Sequence, residues 1–343
     1  MPSLTRIARG GGLALAGAIA LTVAVSVPAS AAPTVAELSP LPGAVHAVPT
    51  DINAKGDVVG GSGNFSGGFQ HAVRWCADGS ITDLGTLPGG QFSFANGINR
   101  DGVIVGRSDN QAVRWNTDGT ITTLVPLAGF SDAWATAINN RGIIAGEAWD
   151  RSTGVHRAVQ WRPNGRLTVL AIPAGYGSTL VEDINQDGVI VGWAVSPAFA
   201  DRAVRWNTDG TVTDLGLLPG GRSSQARGIN RDGVIVGAAD DANGGFHAVR
   251  WAPDGTITDL GTLPGGFGTY AEGINDRGVI VGFTQTVDGD RPVRWGPNGT
   301  ITDLGSLPGQ FGASARAINN DGTVVGVSGS GDNRALRWTR PAA

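Results

Sequence analysis

Charged residues of alternating sign recur at one spacing. Glu182, Arg227, Glu272 and Arg316 each stand two positions before an Ile that is followed by Asn. Two carboxylates brought together are the raw material of a general acid/base pair. A Glu flanked by Arg is equally the material of a chain of salt bridges, in which the guanidinium would lower the carboxyl pKa. Four positions before the same Ile stand Val48, Phe94, Trp134, Leu180, Gln225, Tyr270 and Ser314. Trp149 and Trp193 are read as opening loops. With Tyr176 and Phe199 they form an aromatic group in two adjacent copies of a repeat. Flat rings offer contact area at little entropic cost, so Trp134, Trp149, Tyr176, Trp193 and Tyr270 are the candidate ligand-binding residues. The competing reading is that they anchor long loops.

Other chemistries find less support. His46, His71, His156 and His247 are scattered, without the H-x-x-H or H-E-x-x-H spacing of a zinc site. No nucleophile elbow and no phosphate loop is present. No catalytic residue, metal site or cofactor is assigned. Glu147, Asp150, His156, Glu182 and Asp183 are the one asymmetric set of titratable groups, and their convergence would favour an enzyme. Asp51 and Asp183 replace the usual Gly or Ala before Ile and are candidates to bind a cation with backbone carbonyls. Asp240-Asp241-Ala242-Asn243-Gly244 is faintly calcium-like but lacks the ligand spacing of a defined loop. Cys76 is the single cysteine, so an internal disulfide is impossible. It sits at a turn where the other copies carry unrelated residues, which reads as a neutral thiol.

These residues ride on a repeat. Ile-Asn, a Gly-containing turn, a Val/Ile run and Gly recur with Asn at 53, 99, 139, 185, 230, 275 and 319. A second phrase ends at Trp75, Trp115, Trp161, Trp206, Trp251, Trp295 and Trp338. Periods of about 40–50 residues signal a propeller or solenoid. The fifth copy reads as four short strands: Gln225–Asn230, Val234–Gly237, His247–Trp251 and Thr256–Leu260. Tight turns join the first pair and the last pair. Antiparallel pairing then gathers the longer, variable loops on the opposite rim. The last copy stops at its third strand, while Thr34–Gly43 aligns with Thr300–Gly309. The expectation is an all-β, seven-bladed β-propeller of four antiparallel strands per blade, closed by the N-terminal strand. Blades begin near residues 44, 90, 130, 176, 221, 266 and 310. An Arg on the third strand (Arg74, Arg205, Arg250, Arg294) is expected to pair with an Asp on the fourth (Asp83, Asp214, Asp259, Asp303), and Arg337 with Glu37.

Residues 1–31 read as a signal peptide: Arg6 and Arg9, an apolar run, then Ala29-Ser30-Ala31. The domain is then 32–343. Without Arg6 and Arg9 there are 23 basic against 29 acidic residues, a net charge of −6. That argues against a nucleic-acid partner. The run is too short for a confident span, so no membrane insertion is expected after cleavage. Every blade offers a similar surface, so a monomer is expected.

The phrases D-L-G-x-L-P-G-G, A-x-G-I-N-x-x-G-x-I-V-G and H-A-V-R-W resemble the extracellular HAF-repeat family, named for a His-Ala-Phe phrase. His71-Ala72-Val73 and His247-Ala248-Val249 match that phrase with Val for Phe. The resemblance covers residues 32–343 and implies a secreted bacterial propeller-like protein. It implies no activity, and no catalytic residue carries over. The reading is a secreted binding or interaction module. Its variable rim would engage an extracellular glycan, peptide or protein. The alternative is a secreted lyase, hydrolase or cyclase with its site at the channel mouth, and a third reading is a purely structural secreted protein.

Overall fold

A computed structural model describes residues 33–64, 69–196, 200–329 and 333–339. The proposed signal peptide and Phe199 lie outside the described residues. Within them are 28 strands in seven four-stranded antiparallel sheets, and no helix. Each sheet is one blade, with strands a to d running outward from a central channel. In blade four these are Ser178–Ile184, Ile190–Val195, Arg202–Trp206 and Val212–Asp214. The seventh blade takes its outer strand from the other end of the chain. Thr34–Leu38 pairs antiparallel with Arg334–Thr339, Val35 opposite Trp338. The molecule is the seven-bladed β-propeller that the repeat implied, closed by its N-terminal strand.

Strand choice follows from composition. Val, Ile and Trp fill the b and c strands, whose two faces are both covered by neighbouring blades. The core is therefore seven clusters between blades rather than one centre. Ala137, Ala145 and Ala158 of blade three meet Val181, Ile190 and Trp206 of blade four. Leu38, Val325 and Ala335 meet Ala47, Ile52, Val58 and Trp75 where the ring closes. The repeated Trp ends strand c, nearly inaccessible to solvent, and in four blades its indole N–H reaches back to a backbone carbonyl of the preceding blade. Trp75 donates to Ser39 and Trp161 to Val125 at 2.7 Å. Trp206 donates to Ala171 and Trp338 to Gly305.

The repeated Asn closes the ring at one end of the channel. Its Oδ1 accepts from the backbone N–H groups of its own turn, as Asn139 does from Arg141 and Ile143 at 3.0 Å each. Its Nδ2 donates to the backbone carbonyl of the next blade's Asn. Asn53 gives to Asn99, Asn99 to Asn139, Asn139 to Asn185 and Asn185 to Asn230. Asn230 gives to Asn275, Asn275 to Asn319, and Asn319 back to Asn53, all at 3.0–3.5 Å.

One expectation is corrected. The acid on strand d does not meet the Arg just before the Trp. Arg74 lies opposite Thr82, so it is on the other face from Asp83, which lies opposite Val73. Side chains alternate faces along a strand, and the diagonal neighbour of Asp83 on its own face is His71. His71 Nδ1 is 2.7 Å from Asp83, and Arg74 turns instead to Asp57 at 2.7 Å. The same diagonal joins Arg202 to Asp214, His247 to Asp259, Arg291 to Asp303 and Arg334 to Glu37. The His of the H-A-V phrase is thus one half of an exposed edge-strand contact with a carboxylate, worth roughly 0–1 kcal/mol. Arg157, whose strand d carries no acid, donates to the carbonyls of His156 and Gly177.

The Asn ring gives a direct test. Asn139 is fully buried. In the variant Asn139→Ala two turn N–H groups lose their acceptor, and the carbonyl of Asn185 keeps only the N–H of Gly188. The expected cost is about 2–4 kcal/mol, at roughly 1–3 kcal/mol for each buried polar group left unsatisfied. Denaturant unfolding should register it as a lower midpoint, whereas His247→Ala should move the midpoint little.

Candidate functional site

Every inner strand carries a β-bulge at the same place. In blade four the pairing steps from Val181 opposite Gly192 to Asp183 opposite Val191, which leaves Glu182 unpaired. The residues so extruded in blades one to seven are Thr50, Asn96, Thr136, Glu182, Arg227, Glu272 and Arg316. A bulge re-aims a side chain, and here it turns all seven into the channel. The Gly ending the Val/Ile run permits it. A Cβ on Gly192 would sit 2.0 Å from the carbonyl oxygen of Leu180, and one on Gly282 would sit 1.9 Å from that of Tyr270.

Beyond the bulge, toward the rim of long loops, strands a and b present a facing pair. These pairs are Val48–Gly61, Phe94–Arg107, Trp134–Glu147, Leu180–Trp193, Gln225–Ala238, Tyr270–Phe283 and Ser314–Val327. Phe94, Trp134, Tyr270 and Phe283 line a central cavity of about 880 Å³ together with the bulge residues. Phe283, Arg107 and Asp290 were not singled out from the sequence. The signal for the first two was present, since each directly follows the Gly of strand b.

The five candidate aromatics divide. Trp134 packs on Trp149, ring centroids 5.7 Å apart, and both approach His156, at 6.0 and 5.7 Å. Tyr270 stacks on Phe283 at 4.9 Å and on Phe246 at 5.7 Å. Trp193 instead lies under the guanidinium of Arg227, 5.8 Å from the ring centre. Tyr176 packs against the core between blades three and four. The expected grouping of Trp149, Trp193 and Tyr176 does not form. Trp149 and Trp193 do not open loops either. Strand b continues past its Gly, and they lie within it, opposite His156 and Ala203 of strand c.

The titratable set converges in part. Glu147, Glu182 and Asp183 line the cavity. His156 reaches it through Glu147, with Nδ1 2.7 Å from the carboxylate Oε2. Asp150 stands apart at the end of strand b, its pKa held low by the hydroxyls of Thr153 and Ser152. The bulge ring is only partly a salt-bridge chain. Thr50 and Asn96 bond backbone carbonyls of the next blade, at Ala95 and Ala135. Arg227 pairs with Glu272 at 3.3 Å. Glu182 makes no ion pair or side-chain hydrogen bond among the described residues. Burial raises its pKa to about 8, against the pull of Arg227 and with the push of Glu272, Glu147 and Asp183. Glu272 is also raised, by burial, in spite of Arg227 and Arg316. The expectation that neighbouring arginines would hold these carboxyls low is therefore overturned: desolvation outweighs them.

Asp51 and Asp183, the candidates for a cation, direct their carboxylates at backbone N–H groups. Each carboxylate accepts the N–H of its own following Ile and that of the next blade's Ile. Asp51 takes Ile52 and Ile98, and Asp183 takes Ile184 and Ile229, at 2.7 and 2.9 Å. Burial still raises them, to about 6 and about 7. In the Asp240–Gly244 turn, Asp240 receives the N–H groups of Arg222 and Ser223, and Asp241 those of Asn243 and Gly245. Among the described residues no group of three His, Cys, Asp or Glu is placed to hold a metal.

An acid whose folded pKa lies above its unfolded value keeps its proton longer when folded. Its stabilising effect is complete at low pH and is lost as pH rises through the folded value. Stability is therefore expected to fall between pH 5 and pH 9, each such group contributing a slope of up to about 1.4 kcal/mol per pH unit over its window. Glu182→Gln should flatten the upper part of that profile and be more stable than the parent at pH 9. Thermal melts of both proteins at pH 5, 7 and 9 check this.

No family model and no curated protein matches the chain. Solved structures do match. A streptogramin B lyase superposes with TM-score 0.61 at 12% identity, covering 90% of this chain and 98% of that one. A catalytically inactive virginiamycin B lyase from Staphylococcus aureus with quinupristin gives 0.59 at 15%, covering 90% and 99%. A puromycin hydrolase mutant complexed with PGG gives 0.57 at 17%, covering 82% of this chain and 50% of that one. At these identities the likeness is one of fold, and the chain is a propeller.

Proposed function

We propose that this is an exported HAF-type repeat protein that binds a small ligand, or one segment of a larger one, at the aromatic mouth of its channel. One observation carries the reading. The scaffold repeats seven times, yet large aromatic and charged side chains gather at the facing-pair and bulge positions of particular blades. Phe94, Trp134, Tyr270 and Phe283 stand around Glu182, Arg227, Glu272 and Arg316 at one cavity. A concave cavity in which aromatic walls meet converging polar groups is the usual form of a ligand site, and here the charged groups are numerous. An extracellular glycan or peptide suits such walls, since rings stack on sugar faces and on apolar side chains. Trp149 belongs to the site through Trp134, whereas Trp193 and Tyr176 support the blades.

A second reading, an enzyme at the same mouth, is favoured by the carboxylate-bound His156 and by Glu182, a buried acid with a raised pKa. The propeller fold of neighbours that are lyases and hydrolases adds nothing to it, because fold and chemistry separate freely.

Glycan and peptide arrays probed with the protein lacking residues 1–31 test the binding reading. A hit should weaken about tenfold or more in Trp134→Ala with Tyr270→Ala, since removing a ring that stacks on the ligand costs about 1–3 kcal/mol. The melting temperature should change little. A hit that persists in this double variant would move the site elsewhere.

A further inference from the structure

The proposed channel site has an unequal charge distribution that its repeat does not require. Arg227 is committed to Glu272 at 3.3 Å and to Gln225 Oε1 at 3.1 Å. Its counterpart on the other side, Glu182, is left without an ion pair among the described residues. Glu147, on the neighbouring blade, adds a second carboxylate and binds His156 through Oε2. Both acids line the cavity, as does Trp134, which lies directly opposite Glu147 in the sheet. Rings in this part of the molecule already serve as cation faces. The guanidinium of Arg107 is 5.6 Å from the Trp134 ring centre, and Arg107 lines the same cavity, partly desolvated and drawn toward Asp132.

We propose that Glu182 and Glu147, with Trp134 as the wall, bind the ligand through a protonated amine carried on a flat apolar body. This rests on the channel reading above and names the ligand class. Ionising a carboxyl in a partly dry cavity is costly, and an ammonium placed against it offsets that cost and gains the ring quadrupole. Neutral sugars would leave Glu182 as it stands. The charged groups facing Glu182 are Arg227, Glu272, Glu147, Asp183 and Arg316. Burial outweighs the pull of Arg227 and leaves its carboxyl largely protonated at neutral pH, so seating a cation must expel that proton.

Titration calorimetry with three probes of one shape tests this: tryptamine as the cation, tryptophol as the neutral form and indole-3-acetate as the anion. At pH 7 tryptamine should bind about tenfold or more tighter than tryptophol, and indole-3-acetate weakest. Tryptamine binding should release close to one proton, seen as an enthalpy that varies with the ionisation heat of the buffer. Its affinity should rise with pH and level off above about 8. Glu182→Gln should erase both the preference and the proton release, and its melting curve shows whether it is folded. Equal binding of all three through Trp134 would sink the amine assignment and leave the channel reading intact. Preference for indole-3-acetate would assign the site to Arg316 instead. No binding of tryptamine at about 10 mM, a Kd weaker than the millimolar range, would also overturn the amine assignment, while the array result judges the channel reading separately.

Discussion

Seven inner strands must converge on one axis without clashing and without leaving their ends unbonded. The buried Asn of each blade meets both demands with one side chain. Its carbonyl oxygen shapes the turn between strands a and b, and its amide nitrogen bonds the backbone of the next blade. Because the last Asn returns to the first, no blade is terminal. A neutral amide is suited to this, since it donates and accepts at once. A carboxylate could not donate to the neighbour's carbonyl, and a shorter hydroxyl would not span both groups. The closing pair of strands, Thr34–Leu38 on Arg334–Thr339, then locks the circle from its outer edge.

The bulge is the second half of the same design. Pairing on either side of it stays regular because a Gly on strand b leaves room for the displaced carbonyl. The two ends of the first recurring phrase, Ile-Asn and Val/Ile-Gly, thus describe one local geometry seen from two strands. What remains variable is narrow: the bulge residue, and the facing pair above it. Those three side chains per blade are the surface from which a site must be built. Thr50 and Asn96 bond the next blade's backbone there, while Glu182 and Arg316 point into the cavity. The same ring of positions is structural in one part of the circle and chemical in another.

The fold was legible because period, turn residues and the spare first strand all report on backbone geometry, which repetition states seven times over. The strand positions were legible to within a residue or two, except where strand b outruns its Gly and carries Trp149 and Trp193 inside the sheet. Pair partners were less legible. The ion pairs of strands c and d depend on the parity of a register, which makes His71 rather than Arg74 the partner of Asp83. Yet the copies hold the answer, because His or Arg at that position accompanies Asp or Glu in five blades, and Gln111 accompanies Thr123 in another. The candidate site was legible as a ring of positions, not as a constellation. Trp134 and Tyr270 were found by their place in the ring, whereas the Tyr270–Phe283 stack and the Glu147–His156 contact require the register of strand b.

The electrostatics of the ring show why alternation of sign in a sequence does not decide protonation. Four charges in the order Glu, Arg, Glu, Arg invite the inference that each acid is neutralised. Arg227 gives its short contacts to Glu272 and to Gln225, and none to Glu182. Coulomb attraction at longer range is divided by an effective dielectric near 20, leaving about 2 kcal/mol at 8 Å between unit charges. Removing a carboxylate from water costs several kcal/mol even after relaxation. The second quantity is larger, so both acids shift upward, and the one without an ion pair shifts far enough to hold its proton near neutral pH. Pairing one Glu thus leaves the other uncommitted among the described residues, which is the kind of asymmetry that a symmetric scaffold needs before it can recognise anything.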